Sequence, residues 1–390
     1  MTLMNIDLPN VRHLAAFAAT VRHGKVTAAA DAIALTQPAL TQAIAHLEHR
    51  LDCRLFDREP GGMRPTQAAL LLAPRAEHAM ALIGSPRVTS TQIRAFLALA
   101  RKGSYAEAAE HLGLATASVH RAIADLSLAL GERLVERRGR RVSLTRKGEA
   151  RARSFGLAMA ELRSGFAEVA EWRGKEGGRI VIGAMPLSRA RWLPRAILAF
   201  AQARPGIAIA VIEGSYTELV GPLRDGEIDL LLGALRPEAQ IPDLVQSPAF
   251  LDRPQIVMRS GHPLARGDDF PAVDLGAHPW ILPSADTPLR EYWRAMMTAA
   301  RYTVPDVAIE CGSVLTIREL LLETDMLSLL SPDQLRVEIE AGLIAYAAPP
   351  HPIERTIGIT TRRDWRPTPA QGTMLSILAG EAQDIGRAHV

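Results

Sequence analysis

Thr36-Gln37-Pro38-Ala39-Leu40-Thr41-Gln42 is the stretch on which the reading of this chain turns. Threonine can cap a helix with its hydroxyl, and a proline two residues later sits in the first turn, where its missing N–H costs nothing. Leu40, Ile44, Leu47 and Leu51 follow at helical spacing as one apolar stripe. Upstream, Leu14, Phe17, Ala18 and Val21 mark an amphipathic helix predicted to end near Gly24. Thr27 to Ile33 reads as a short second helix, and its Ala29-Ala30 pair lets another helix approach closely. Downstream, Arg54-Leu55-Phe56, Gly61-Gly62 and Arg64-Pro65-Thr66 read as two short strands around a turn. Two helices joined by a tight turn, the second opening on polar residues, describe a helix-turn-helix, and the strand pair is its wing.

The unit occurs twice. A shift of 79 positions lays Ala16-Phe17 on Ala95-Phe96, Arg22 on Arg101, Gly24 on Gly103 and Ala29-Ala30 on Ala108-Ala109. It also lays Ala43-Ile44-Ala45 on Ala122-Ile123-Ala124, Arg54-Leu55 on Arg133-Leu134, Arg58 on Arg137 and Thr66 on Thr145. About a third of positions from 14 to 66 match without a gap. Alanine-rich helices share alanines by chance, but not Gly, Phe, Thr and three Arg in register, so the unit is a duplication.

With Leu47-Glu48, Leu51 and Leu55-Phe56-Asp57-Arg58, the opening stretch resembles the winged helix-turn-helix of LysR-type transcriptional regulators. The first copy departs at Gln42, where that family usually has a basic residue, and at Asp52, where it usually has glycine. The second reads Ala115-Thr116-Ala117-Ser118-Val119-His120-Arg121 and keeps the basic residue as Arg121 and the glycine as Gly131. The family ordinarily carries one such unit, so the surplus length is a second winged helix at the front.

Charge follows the same division. Residues 1–89 carry +2, residues 90–178 carry +6 and residues 179–390 carry −5, within a net charge of +3. A basic front half asks for a polyanion partner, here double-stranded DNA. The start of the third helix of each unit enters the major groove, where Gln37 can pair with adenine and Arg121 with guanine. Thr36, Pro38, Thr41, Gln42, Thr116, Ser118 and His120 complete the candidate reading surface. The wing arginines Arg58, Arg64, Arg137, Arg138, Arg140 and Arg141 are candidates for phosphate or minor groove. An ordinary solvated helix face is the plain alternative for each residue. The charge split makes the second unit the expected main source of phosphate affinity.

From Arg179 the pattern changes. Ile180-Val181-Ile182, Ile207 to Ile212 and Ile228 to Leu232 are apolar strands separated by helices at about Trp192 to Ala203 and Thr217 to Asp225. That alternation predicts a parallel α/β sheet. Leu244 to Leu251 and Gln255 to Met258 are expected to cross out of it. Trp280-Ile281-Leu282, Val307-Ala308-Ile309, Met326 to Leu329 and the return strand Thr356 to Thr360 form a second set. Two such lobes resemble the type 2 periplasmic-binding-protein fold of LysR effector domains, as do Asp225-Gly226-Glu227-Ile228-Asp229-Leu230 and Ser260-Gly261-His262-Pro263-Leu264-Ala265. The fold class is therefore mixed: two α+β tandem winged helix-turn-helix domains, a linker helix, and a two-lobed α/β domain.

The expected divisions are 8–85 and 88–146 for the winged units, 147–176 for a linker helix and 178–390 for the effector domain. Its lobes run over about 179–255 plus 350–390, and about 256–349. The resemblance implies that the linker helix pairs two subunits, giving a homodimer or homotetramer. Ligands in such sheets sit beyond the carboxyl ends of strands, at helix N-termini. That rule selects Ser188, Ser215, Tyr216, Gly233, Ser284 and Ser313, with helix capping as the plain alternative for the serines. A small polar or anionic effector fits, and a sugar, a sugar acid and an aromatic acid all remain open.

Other classes are weaker. There is no HExxH, GxSxG, GxxxxGK[ST] or GxGxxG, so an enzyme with an appended DNA-binding module is disfavoured, and no catalytic residue, metal or cofactor is expected. An architectural or ligand-independent DNA-binding protein is the other alternative. Cys53 and Cys311 lie far apart, which fits a reducing compartment. No stretch approaches the roughly 18 apolar residues of a membrane span, and Asp7, Pro9 and Arg12 disfavour a secretory leader. A cytoplasmic location follows as the expectation, with no membrane partner.

Overall fold

The computed structural model describes residues 9–60, 62–138, 141–175, 177–266 and 275–388. The first winged unit comprises α1 (Val11–His23), α2 (Val26–Ala32), α3 (Gln37–Leu51), β1 (Phe56–Glu59) and β2 (Gly62–Pro65), followed by α4 (Gln67–Ile83). The second comprises α5 (Ser90–Lys102), α6 (Tyr105–Leu112), α7 (Thr116–Leu130), β3 (Val135–Arg138) and β4 (Arg141–Leu144), followed by α8 (Arg146–Trp172). Both wings are antiparallel strand pairs. Equivalent residues fill equivalent places: Phe17 and Phe96, Ile44 and Ile123, Leu47 and Leu126, Leu55 and Leu134 are all buried. Thr66 and Thr145, also equivalent, each cap the helix that leaves the wing.

The sequence reading expected α8 to pair with a partner subunit. Within the chain, α8 packs along α4, and the two winged units share one hydrophobic core that runs from Val11 to Val169. Leu72 and Arg75 lie against Gly165, His78 against Glu161, and Gly84 at the end of α4 against Arg151. Positions rise along α4 as they fall along α8, so the helices are antiparallel. Ala79 and Ala158, which the 79-residue shift makes equivalent, are both buried, 0% and 1% exposed. Small side chains in the seam let the helices approach closely. Arg75 lies buried in the seam, with Glu161 at 3.1 Å and Glu168 at 2.6 Å. A buried charge persists when several partners satisfy it, and Arg75 also donates to the Arg366 carbonyl, 2.9 Å away in the C-terminal domain.

That domain has two lobes. The first holds β5 (Arg179–Ala184), α9 (Trp192–Ala203), β6 (Ala208–Glu213), α10 (Tyr216–Arg224), β7 (Leu230–Ala234) and β8 (Leu244–Asp252). The second holds β9 (Gln255–Arg259), β10 (Trp280–Leu282), α11 (Pro288–Ala299), β11 (Ile309–Glu310), α12 (Val314–Glu323), β12 (Leu327–Leu330), α13 (Arg336–Glu340) and β13 (Ile344–Ala347). The chain returns to the first lobe as β14 (Arg355–Arg362) and α14 (Pro369–Ala388). The sheets are ordered β6-β5-β7-β14-β8 and β11-β10-β12-β9-β13.

Two expectations give way here. The first sheet is not wholly parallel: β5 pairs in parallel with β6 and β7, but β14 runs antiparallel to β7 and β8. Leu244 to Leu251 does not cross out of the lobe, because it forms that sheet's edge strand against β14. The crossing is made at Asp252–Gln255 and on the return before Arg355. No described helix is long and apolar enough to cross a membrane.

Candidate functional site

Each winged unit presents the start of its third helix. In the first, Thr36 caps α3 by accepting from the Ala39 N–H at 3.4 Å, while Gln37, Pro38 and Gln42 are exposed and Thr41 is half-buried. Glu48 accepts from the N–H groups of Leu55 (2.7 Å) and Phe56 (3.3 Å), which pins the wing to α3. In the second, Ala115 precedes α7 without a side-chain cap, and Thr116, Ser118, His120 and Arg121 are exposed. The His120 ring stacks on Tyr105, with centroids 3.5 Å apart and planes 16° from parallel. That stack fixes the imidazole at the helix surface, where its ring nitrogens can meet a base edge or a phosphate.

The wings differ in charge. Arg58 and Arg64 are exposed, but Arg64 pairs with Glu59 at 2.7 Å and Asp57 at 3.5 Å on its own wing. A phosphate must compete with those carboxylates. Arg137 and Arg138 stand on β3 and Arg141 on β4, with side chains outside the described residues. Arg140 lies wholly outside them.

The effector candidates separate into caps and cleft residues. The Ser215 hydroxyl donates to Glu218 at 2.8 Å, and Glu218 also accepts from the Ser215 N–H, so this serine serves α10. Ser313 accepts from the Thr316 N–H and caps α12. The Ser284 carbonyl accepts from Thr287 in the turn before α11. Gly233 pairs with Gly358 in the middle of its sheet, and Met185 packs where its side chain would stand, which closes that face to a ligand.

Ser188 lies where the two lobes touch, and Tyr216 lies beside Arg236. Ser188 is fully buried, and its hydroxyl finds no partner among the described residues. Its turn, Pro186–Arg189, touches Pro332–Leu335 of the other lobe, and Arg191 reaches Asp333 there at 3.5 Å. Tyr216 lies under the Arg236 guanidinium, 4.5 Å from ring centroid to carbon.

Sequence reasoning missed Arg236, which follows the carboxyl end of β7. Burial pushes its guanidinium below the ordinary arginine range; Arg355 pushes the same way, while Tyr216, and Tyr292 and Glu291 of the other lobe, push back. No described carboxylate forms an ion pair with it. The missed signal was its position, just beyond a strand's carboxyl end, where an arginine can receive an anion.

A separate cavity of about 400 Å³ lies where α8 and α5 meet the first lobe, lined among others by Arg101, Arg163, Asp225 and Asp229. Arg163 donates to the Gly226 carbonyl at 2.7 Å, and Arg101 pairs with Glu227 at 2.6 Å. Gly156 gives the Asp225 carbonyl room against α8, since a Cβ there would stand 2.3 Å from it. The Asp225-Gly226-Glu227 turn is thus a joint between the winged units and the sensor lobe.

Comparison with known proteins agrees with both halves. The family described as "Bacterial regulatory helix-turn-helix protein, lysR family" matches residues 11–70 and again 90–149. The family described as "LysR substrate binding domain" matches residues 173–383. The HTH-type transcriptional regulator GalR of Pseudomonas putida is 30% identical, over 96% of this chain and 98% of its own length. The SDS degradation transcriptional activation protein of a Pseudomonas species is 31% identical over 74% of this chain and 95% of its own. Among solved structures, a full-length OxyR variant from Pseudomonas aeruginosa aligns with a TM-score of 0.52 and 20% identity, over 75% of this chain and 94% of its own, which shows the shared fold.

Proposed function

This chain belongs to the LysR family of bacterial transcriptional regulators and is a ligand-responsive, DNA-binding regulator; from that premise we propose that its effector is a small organic acid held between the two lobes. The observation that carries this reading is Arg236, a guanidinium driven down by burial, stacked on Tyr216 and facing the second lobe. A carboxylate placed there offsets the hydration that burial removed from the guanidinium, and a bidentate pair fixes its orientation. Ser188 supplies a buried hydroxyl for a second polar group. Closure around the acid tightens the contact already made by Arg191 and Asp333, shifting the population of lobe arrangements. The Asp225–Glu227 joint and the Arg366 contact to Glu161 carry that shift to the helices beneath the winged units. The first lobe's Arg236 therefore favours sugar acids and aromatic acids over neutral sugars.

A thermal-shift panel of aromatic acids, sugar acids and neutral sugars tests the reading. An acid raises Tm, Arg236→Ala abolishes that rise, and Ser188→Ala reduces it. Stabilisation by a neutral sugar that persists in Arg236→Ala would overturn the assignment.

A further inference from the structure

The two winged units of one chain are joined back to back by the antiparallel α4/α8 seam, and each end of the seam abuts one reading helix. At the C-terminal end of α8, Arg173 donates to the Leu51 carbonyl at 2.6 Å and to Asp52 at 2.8 Å, where α3 ends. Towards its N-terminal end, Arg151 pairs with Glu132 at 2.7 Å, where α7 ends, and the end of α4 lies against the same arginine. Twenty-two residues separate Arg151 from Arg173. At a rise of about 1.5 Å per residue this places the C-terminal ends of α3 and α7, opposite to the starts that face a groove, about 33 Å apart along α8. Two winged units set at opposite ends of one antiparallel helix pair are thus separated on the scale of one turn of duplex DNA, about 34–36 Å, over which paired helix-turn-helix units meet successive major grooves.

We propose that a single chain is a complete two-half-site reader: its two winged helices occupy successive major-groove turns of one duplex and recognise two different half-sites. In an assembly of identical units, two-fold symmetry demands a palindrome. Here the same pseudo-symmetric frame carries unlike readers. Gln37 and Pro38 of α3 stand where α7 has Thr116 and Ala117, and Gln42 stands where α7 has Arg121. A Gln matches adenine and an Arg matches guanine, so the two halves of the site differ in sequence. The inference rests on the DNA-binding role of the family and is independent of the effector assignment.

Selection of duplexes from a randomised pool with the full-length protein tests it. The expected product holds two dissimilar half-sites with centres about 10 base pairs apart. Gln37→Ala relaxes one half-site and Arg121→Ala the other, each by about tenfold at its own positions. Inserting five base pairs between the halves turns them to opposite faces and lowers affinity by about a hundredfold; this arm needs no protein variant. A palindrome whose halves both depend on one of the two residues overturns the proposal, as does a single half-site or indifference to the insertion. Failure to enrich any duplex overturns the DNA-binding role as well.

Discussion

The two winged helices share a fold and divide their means of holding it. The second ends its helices on glycines in the left-handed region, Gly103, Gly113 and Gly131, where a missing Cβ removes the steric cost. The first has Gly24 but puts Ala34 (φ 52°) and Asp52 (φ 52°) at the other two equivalent positions. Conversely, the first has Thr36 as a cap and Glu48 as a pin for its wing, where the second has Ala115 and Ser127. Asp52 shows what the first unit gains for its strain: its carboxylate receives Arg173 at 2.8 Å and Lys175 at 2.9 Å from the end of α8. Duplication thus freed one copy to trade local backbone comfort for contact with the other.

The seam offers the largest way to break this comparison, since both units hang on it. Arg75→Ala strands Glu168 in the seam, leaves Glu161 to Arg366 alone, and is expected to destabilise by about 3 kcal/mol, read as a fall in the urea midpoint. A loss under about 1 kcal/mol would show that apolar packing alone holds α4 on α8. Exchanging the left-handed residues sharpens the contrast at smaller cost. Ala34→Gly relieves strain and stabilises by about 1 kcal/mol, while Gly113→Ala, with open space around it, destabilises by a similar amount. Equal effects of both swaps in the same direction would remove the assigned cause.

The smallest effect is electrostatic. The hydrogen bonds from Arg173 and Lys175, with their charges, hold the Asp52 carboxyl at about 2, below its ordinary 3.8. A depressed carboxyl stabilises the folded state above its unfolded value, and that contribution disappears as pH falls through the folded value. The pair is exposed, so salt weakens it. An NMR titration of the Asp52 carboxyl in low salt is expected to show its midpoint below 3, moving upward in Arg173→Ala; an unmoved midpoint would assign the depression elsewhere.

The winged units were legible because their signals are local. Caps, apolar periodicity and a gapless repeat set the helices to within a residue or two, and α1 stops at His23, beside the Gly24 that was predicted to end it. The seam was not legible for a physical reason. Arg75, Glu161 and Glu168 sit on helices where charges usually meet solvent, and only the packing of two helices distant in sequence buries them. The proposed acid site was half legible. The strand-end rule selected Ser188 and Tyr216, on which the proposed acid site rests, but it equally selected Ser215 and Ser313, which obey a capping rule that looks identical in sequence. Arg236 escaped because its environment is assembled by Tyr216 in one lobe and by Glu291 and Tyr292 in the other.

The seam has a consequence for behaviour at low copy number. A pair of winged helices built from two molecules obeys a bimolecular equilibrium, so dilution separates it. Here α4 meets α8 within one polypeptide, and no concentration enters the equilibrium constant for closing one on the other. A cell holding a handful of these molecules keeps this pair of winged helices assembled, whatever larger assembly the chain enters.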